Sequence, residues 1–163
     1  MPDVLVNDAA HSTRDGFELL DAATLDAHYA VNMRATFLLA VEFARRAKAL
    51  GRLSGHIISM SSGQDWGPMP GELAYVATKG AIEAFTLSLA SELARLGITV
   101  NAVDPGATDT GWITEQMRRE CSVPSGVAKF NLPDDAARVI VFLASDAARH
   151  LTGQVIHARG SAI

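Results

Sequence analysis

The chain has 163 residues and a formal net charge of −4; hydrophobic residues make up 48% of it and charged residues 20%. This length supports one domain with a sizeable core. The charge gives no electrostatic attraction to nucleic acid or to an anionic membrane. A single cysteine, Cys121, excludes an internal disulfide and a Cys-rich metal site, and no run of 18 apolar residues occurs. We therefore expect a cytoplasmic protein with neither nucleic-acid nor membrane partners.

The first part of the chain predicts a short strand and then a long helix. The apolar run DVLVN at residues 3–7 is typical of a buried strand. An i+3/i+4 apolar stripe then predicts a helix over about residues 24–49, with Gly51 as its stop signal. That stripe consists of Ala30, Met33, Phe37, Val41 and Ala44.

The rest of the chain alternates strands with helices. Apolar, β-branched runs predict strands at residues 55–60, 97–103 and 153–158. Apolar periodicity predicts helices at about 73–96, ending before Gly97, and at about 133–145. Such alternation, with nearly continuous apolar strands, favours an α/β fold built on a Rossmann-like, doubly wound parallel sheet.

We interpret residues 1–163 as a single partial domain of this kind. The sequence has no Gly-rich turn between a strand and a helix, so it lacks a phosphate-binding fingerprint. We accordingly expect the sheet to be truncated on its N-terminal side, either because the chain is a fragment or because it is a short protein. The irregular segment at about 107–130 is long for a connection and is a candidate lid or substrate segment.

Tyr75 and Lys79 lie four residues apart in the predicted helix 73–96, so their side chains leave from the same face. A phenol titrates near 10, and a neighbouring ammonium favours the phenolate and lowers that pKa. The two residues are therefore a candidate proton-transfer pair. The alternative is that two ordinary helix residues share a face.

Ser62 follows the predicted strand 55–60, where ligand sites of open α/β sheets are found. It is placed to donate a hydrogen bond to a substrate oxygen that Tyr75 protonates, although turn serines are common. A hydrolase that uses Ser62 is disfavoured, because no histidine with an acidic partner is placed to activate it.

Five segments together resemble one family. They are VLVNDAA, YAVNM, YVATKGAIEAF with a serine thirteen positions before its tyrosine, GITVNAVDPGATDTGW and LTGQVIHA. Their order and spacing are similar to the second half of the short-chain dehydrogenase/reductase family. Two motifs depart from the family pattern: Asn-Asn-Ala-Gly reads Asn7-Asp8-Ala9-Ala10, and of the paired glycines near the C-terminus only Gly160 is present.

The resemblance implies an oxidoreductase that interconverts a small-molecule ketone and a secondary alcohol with NAD or NADP. Tyr75 would be the general acid/base, and Lys79 would lower its pKa and hold the nicotinamide ribose. Ser62 would polarise the carbonyl, and Asn32 would position a water, unless it is simply a solvated helix residue. The implied cofactor-binding residues are Asn7, Ala9, Tyr75, Lys79, Pro105, Gly106, Thr108 and Thr110. The family also implies a homodimer or homotetramer.

A second hypothesis is a catalytically silent oligomerisation module with an exposed sheet edge at residues 3–7.

The remaining aromatic, cysteine and histidine residues carry no clear functional signal. Trp66 and Trp112 either line an apolar substrate pocket or pack within loops, and Cys121 is expected to be inert. No metal-ligand spacing is present among the histidines, which we interpret as surface or packing residues: His11, His28, His56, His150 and His157.

Overall fold

A parallel sheet organises the computed structural model, which describes residues 1–63, 67–111, 113–116 and 130–158. Its strands are β1 (Val4–Asn7), β2 (Gly55–Met60), β3 (Ile98–Asp104) and β4 (Val155–His157), hydrogen-bonded in that order. All three pairings are parallel. The four predicted strands are thus confirmed, each with its ends shifted by no more than two residues.

Helices follow the strands as the apolar periodicity predicts. They are α1 (Ala22–His28), a π-helix (Tyr29–Ala35), α2 (Thr36–Ala49), α3 (Leu73–Leu93) with a 3-10 turn (Ala94–Leu96), and α4 (Pro133–Leu143) with a 3-10 turn (Asp146–Ala148). The prediction of one continuous helix over 24–49 is wrong at its centre. A π-helix replaces regular α-helix there, around the buried Asn32, whose side-chain partners lie 21 and 46 residues away in sequence.

Helices cover both faces of the sheet, which confirms the doubly wound arrangement. Neighbouring residues of β2 point to opposite faces, as strand geometry requires. Ile57 packs with α2 and α3, whereas Ile58 packs with α4. The first cluster consists of Ala40, Phe43, Ala44, Ala47, Ile57, Leu89, Ala90, Leu93, Ile98 and Val100, and the second of Ile58, Met60, Val103, Leu143 and Ala148.

The connection into β3 depends on a glycine in the left-handed region. Gly97 follows the 3-10 turn with φ 63°, and a Cβ there would lie 2.3 Å from the carbonyl oxygen of Leu53. The predicted stop signal is therefore confirmed, and it also allows close approach of two loops. Because all strands are parallel, the loops that follow them lie at one edge of the sheet.

Candidate active site

Polar side chains gather where the strands end. Asn7, at the end of β1, donates from Nδ2 to Ser59 Oγ of β2 at 3.1 Å. Asp104, the last residue of β3, is 1% exposed and faces the neighbouring strand β4. Ser61 and Ser62 follow β2 directly. Open α/β sheets bind their ligands at this edge, outside the carboxyl ends of the strands.

Tyr75 and Ser62 meet across this edge. Tyr75 lies in the first turn of α3, and its hydroxyl shares a side-chain hydrogen bond with Ser62. Asp15 fixes the start of that helix, because its Oδ2 accepts from the backbone N–H of Ala74 at 2.8 Å. The serine and the tyrosine thus lie together at the edge where the sequence places both, and the helix that carries the tyrosine is capped from 59 residues away.

Lys79 lies one turn further along α3 and is 2% exposed. Its Nζ donates to the carbonyl oxygen of Met60 at 2.7 Å and is 5.5 Å from the centroid of the Tyr75 ring. The ammonium has three N–H donors, and Met60 takes one of them. The fixed ammonium thus lies beside the phenol, as the four-residue spacing predicts.

The ionisation of this pair differs in one respect from the expectation. Burial raises the pKa of Tyr75, the hydrogen bond from Ser62 lowers it by less, and the charges of Glu72 and Asp104 raise it further. Burial lowers the pKa of Lys79 to about 8, and Asp8 opposes this shift. The expected net lowering of the Tyr75 pKa is therefore wrong for this structure, because desolvation of the phenol outweighs the effect of its neighbours.

Asn32 is fully buried within the π-helix, so the alternative of a solvated helix residue is wrong. Its Oδ1 accepts from the backbone N–H of His11 at 2.7 Å, and its Nδ2 donates to the His11 carbonyl and to Thr78 Oγ1, each at 2.9 Å. Thr78 in turn donates to the Tyr75 carbonyl at 2.8 Å. Asn32 therefore connects the segment after β1 to the helix that carries Tyr75. Its water-positioning role stays a prediction.

The predicted nicotinamide loop, residues 105–110, follows β3 at the same edge. Gly106 adopts φ 65°, and its backbone N–H donates to Asp104 Oδ1 at 2.9 Å. Thr108 donates from Oγ1 to the Pro105 carbonyl at 3.1 Å, and the backbone N–H of Thr110 donates to the Thr108 carbonyl at the same distance. The loop thus lies at the same edge of the sheet as the end of β1, where Asn7 and the exposed Ala9 lie, with the end of β2 between them.

Sequence reasoning missed three polar residues that shape the site: Asp15, Asp104 and Asn131. Each acts through a backbone group that is distant in sequence or part of an irregular loop, so no periodic pattern reveals it.

Some residues singled out in the sequence lie outside the described residues: Trp66, Trp112, Cys121, Gly160 and most of the 107–130 segment. Within the described ranges, His, Cys, Asp and Glu side chains form no group of three suited to a metal ion, and no helix is long and apolar enough to cross a membrane.

Comparison with known proteins agrees with this arrangement. The family model described as Enoyl-(Acyl carrier protein) reductase matches residues 1–160. An uncharacterised oxidoreductase of Bacillus subtilis (strain 168), YjdA, is 60% identical over 162 residues, which cover 99% of this chain and 64% of that protein. The chain thus spans less than two thirds of that relative's length.

Two solved structures are similar in fold and sequence. A 4-hydroxyisoleucine dehydrogenase complexed with NADH superposes with a TM-score of 0.84 at 29% identity, over 96% of this chain and 66% of that one. An angucycline C-6 ketoreductase, LanV, with bound NADP gives 0.82 at 33% identity, over 98% and 62%. The motifs, the doubly wound sheet, the juxtaposed Ser62, Tyr75 and Lys79, and the family match lead to one conclusion: the chain belongs to the short-chain dehydrogenase/reductase family.

Proposed function

We propose that the protein is an NAD- or NADP-dependent oxidoreductase that interconverts a small-molecule ketone and a secondary alcohol, with Tyr75 as general acid/base. The observation that carries this proposal is the contact of the Tyr75 hydroxyl with Ser62 above the buried Lys79. Similar proteins with bound NADH and NADP support the choice of cofactor. A cytoplasmic location and a homodimeric or homotetrameric assembly belong to the same proposal.

The site suits the nicotinamide end of such a cofactor. Lys79 has N–H donors beyond the one bonded to Met60, which fits the recognition of ribose hydroxyls. The loop from Pro105 to Thr110, with Thr108, offers backbone and hydroxyl groups for the carboxamide or phosphates. Asn7 and Ala9 lie at the end of β1 for the adenosine ribose. When bound, the nicotinamide supplies or accepts the hydride.

The protein's own part in reduction is proton transfer. A substrate carbonyl oxygen that takes hydrogen bonds from Ser62 and Tyr75 becomes more electrophilic at carbon. As that carbon gains a hydride, the oxygen gains the phenolic proton, and a tyrosinate remains beside the Lys79 ammonium. Burial raises the pKa of Tyr75, so the phenol keeps its proton at neutral pH, which is the form that a general acid needs.

The alternative of a catalytically silent module is not favoured. A silent module would bind no cofactor, whereas the proteins similar to this chain are oxidoreductases. The buried Lys79 is also costly for a silent protein, because desolvation penalises its charge.

Fluorescence titration of the purified chain with NADH and with NADPH tests the proposal. We expect saturable binding of at least one, followed by its oxidation when a panel of aliphatic and aromatic ketones is added. Lys79→Met should weaken binding, whereas Lys48→Met, at an exposed position of α2, should leave it unchanged. Binding of neither cofactor, together with no turnover of any ketone, would overturn the proposed function for this chain.

A further inference from the structure

A buried carboxylate ends the central strand β3. Asp104 is 1% exposed, and each of its oxygens has a partner: Oδ1 accepts from the backbone N–H of Gly106 at 2.9 Å, and Oδ2 lies 3.0 Å from Nδ1 of His157. The rest of β3 is also buried. Desolvation penalises a buried carboxylate unless hydrogen bonds and ion pairing compensate it, and Asp104 has such partners on both oxygens.

Asn131 holds the same loop from its other side. It is 9% exposed, and its Nδ2 donates to the Pro105 carbonyl at 2.7 Å and also to the Ala158 carbonyl. Its backbone N–H donates to the Ala107 carbonyl, and its own carbonyl accepts from the Asp109 N–H, both at 2.9 Å. These contacts join residues 105–109 to the start of α4 and to the end of β4.

Together the two side chains set the conformation of the turn. Gly106 has φ 65°, one of several backbone states open to glycine. Its N–H and the adjacent Pro105 carbonyl are each bonded by one of the two side chains. Because buried polar side chains hold the loop from both sides, its ligand-facing groups keep one conformation. Pre-organisation of this kind lowers the entropic cost of ligand binding.

We propose that Asp104 and Asn131 are positioning residues that hold the 105–110 loop in the conformation that receives the nicotinamide portion of the cofactor. This inference rests on the proposed function for its ligand, whereas the clamp itself is a property of the free protein. The pair acts through the loop backbone and touches no reacting atom.

Amide hydrogen exchange in the free protein tests the clamp without any activity. In Asp104→Ala, exchange at Gly106 should accelerate at least about tenfold, the amount expected when a charge-assisted hydrogen bond is lost. Asp104→Asn retains an acceptor for Gly106 and should restore protection. Asn131→Ala removes the side-chain bonds to the Pro105 and Ala158 carbonyls, so the loop should open more often and exchange at Asp109 should accelerate. Asp146→Ala, at an exposed position in the 3-10 turn after α4, serves as the control. Unchanged exchange in Asp104→Ala and Asn131→Ala overturns the inference.

Cofactor binding then tests the positioning role. We expect Asp104→Ala and Asn131→Ala each to raise the Kd of NADH or NADPH about tenfold, with a smaller change in kcat and with recovery in Asp104→Asn. Accelerated exchange with an unchanged Kd overturns the positioning role. If the parent chain binds neither cofactor, the proposed function fails, and the exchange data alone decide whether the clamp exists. If Asp104→Ala does not fold, the exchange rates and Kd values of Asn131→Ala and Asp104→Asn decide the matter.

Discussion

Burial of the Lys79 ammonium next to Tyr75 reduces the stability of the folded state. This ammonium is buried under the start of α3, and burial lowers its pKa from 10.5 to about 8. Between these two values the unfolded chain binds more protons at this residue than the folded protein does. The stability of the folded state therefore rises as pH increases through that window and falls as pH drops through it toward about 8.

Replacing this lysine tests the burial cost. We expect the wild-type protein to gain about 2 kcal/mol of unfolding free energy relative to Lys79→Met as pH is raised from about 7 to about 10. Chemical denaturation at a series of pH values measures this difference. The matched variant Lys48→Met changes a surface lysine of α2 and should show no such trend. A flat difference for Lys79→Met would refute the buried-ammonium description.

The π-helix is the element that the sequence pattern could not reveal. Apolar periodicity places residues 24–49 in a helix, and the structure agrees over α1 and α2, but the local widening follows from the contacts of Asn32 with His11 and Thr78. Those partners are close in space only after β1 and α3 have packed. The strands, by contrast, are predictable because burial of both faces demands apolar, β-branched runs.

The substitution Asn32→Ala measures how much the side-chain contacts of the π-helix contribute to the free energy of unfolding. The substitution leaves the His11 backbone groups and Thr78 Oγ1 without their buried partner, so we expect a loss of about 3 kcal/mol of unfolding free energy. Gln154→Ala removes an amide at an exposed position and should cost much less. Equal losses in the two variants would show that the Asn32 contacts do not stabilise the fold.

Two glycines that end helical segments form a second matched pair. Gly97 and Gly51 have φ of 63° and 66°, but a Cβ at Gly97 would meet Leu53, whereas nothing lies within 4 Å of a Cβ at Gly51. Gly51→Ala should therefore cost about 1 kcal/mol through backbone strain alone, and Gly97→Ala clearly more through the added clash. Thermal unfolding of both variants checks the ranking, and an equal cost would contradict the close approach.

For the molecule as a whole, exposed leucines on α2 and α3 suggest an interface between copies of the chain. Leu38, Leu39 and Leu87 are 56%, 54% and 64% exposed. If they lie in the proposed homodimer or homotetramer, Leu39→Lys should reduce the mass measured by sedimentation, whereas Leu19→Lys, at a position outside these helices, should not. A monomeric wild-type chain would contradict this assembly.

The sequence predicts part of the candidate catalytic arrangement. Spacing alone places Tyr75 and Lys79 on one face, and the order of the motifs brings Ser62 to the same edge of the sheet. The direction of the Tyr75 pKa was not predictable, because it depends on how far packing buries the phenol. The contact of Asp104 with His157 was equally hidden, since it requires β3 and β4 to be in register.

The proposed role of Tyr75 as general acid can be measured as the steady-state rate of NADH or NADPH oxidation with a ketone, compared among wild type, Tyr75→Phe and Tyr29→Phe. Tyr29, in the π-helix, is 49% exposed and provides a matched phenol-to-phenyl change away from Ser62. We expect Tyr75→Phe to lower the rate by about 10²–10⁴-fold, the contribution of a general acid, and Tyr29→Phe to leave it unchanged. A Tyr75→Phe variant as fast as wild type would contradict proton transfer by this residue.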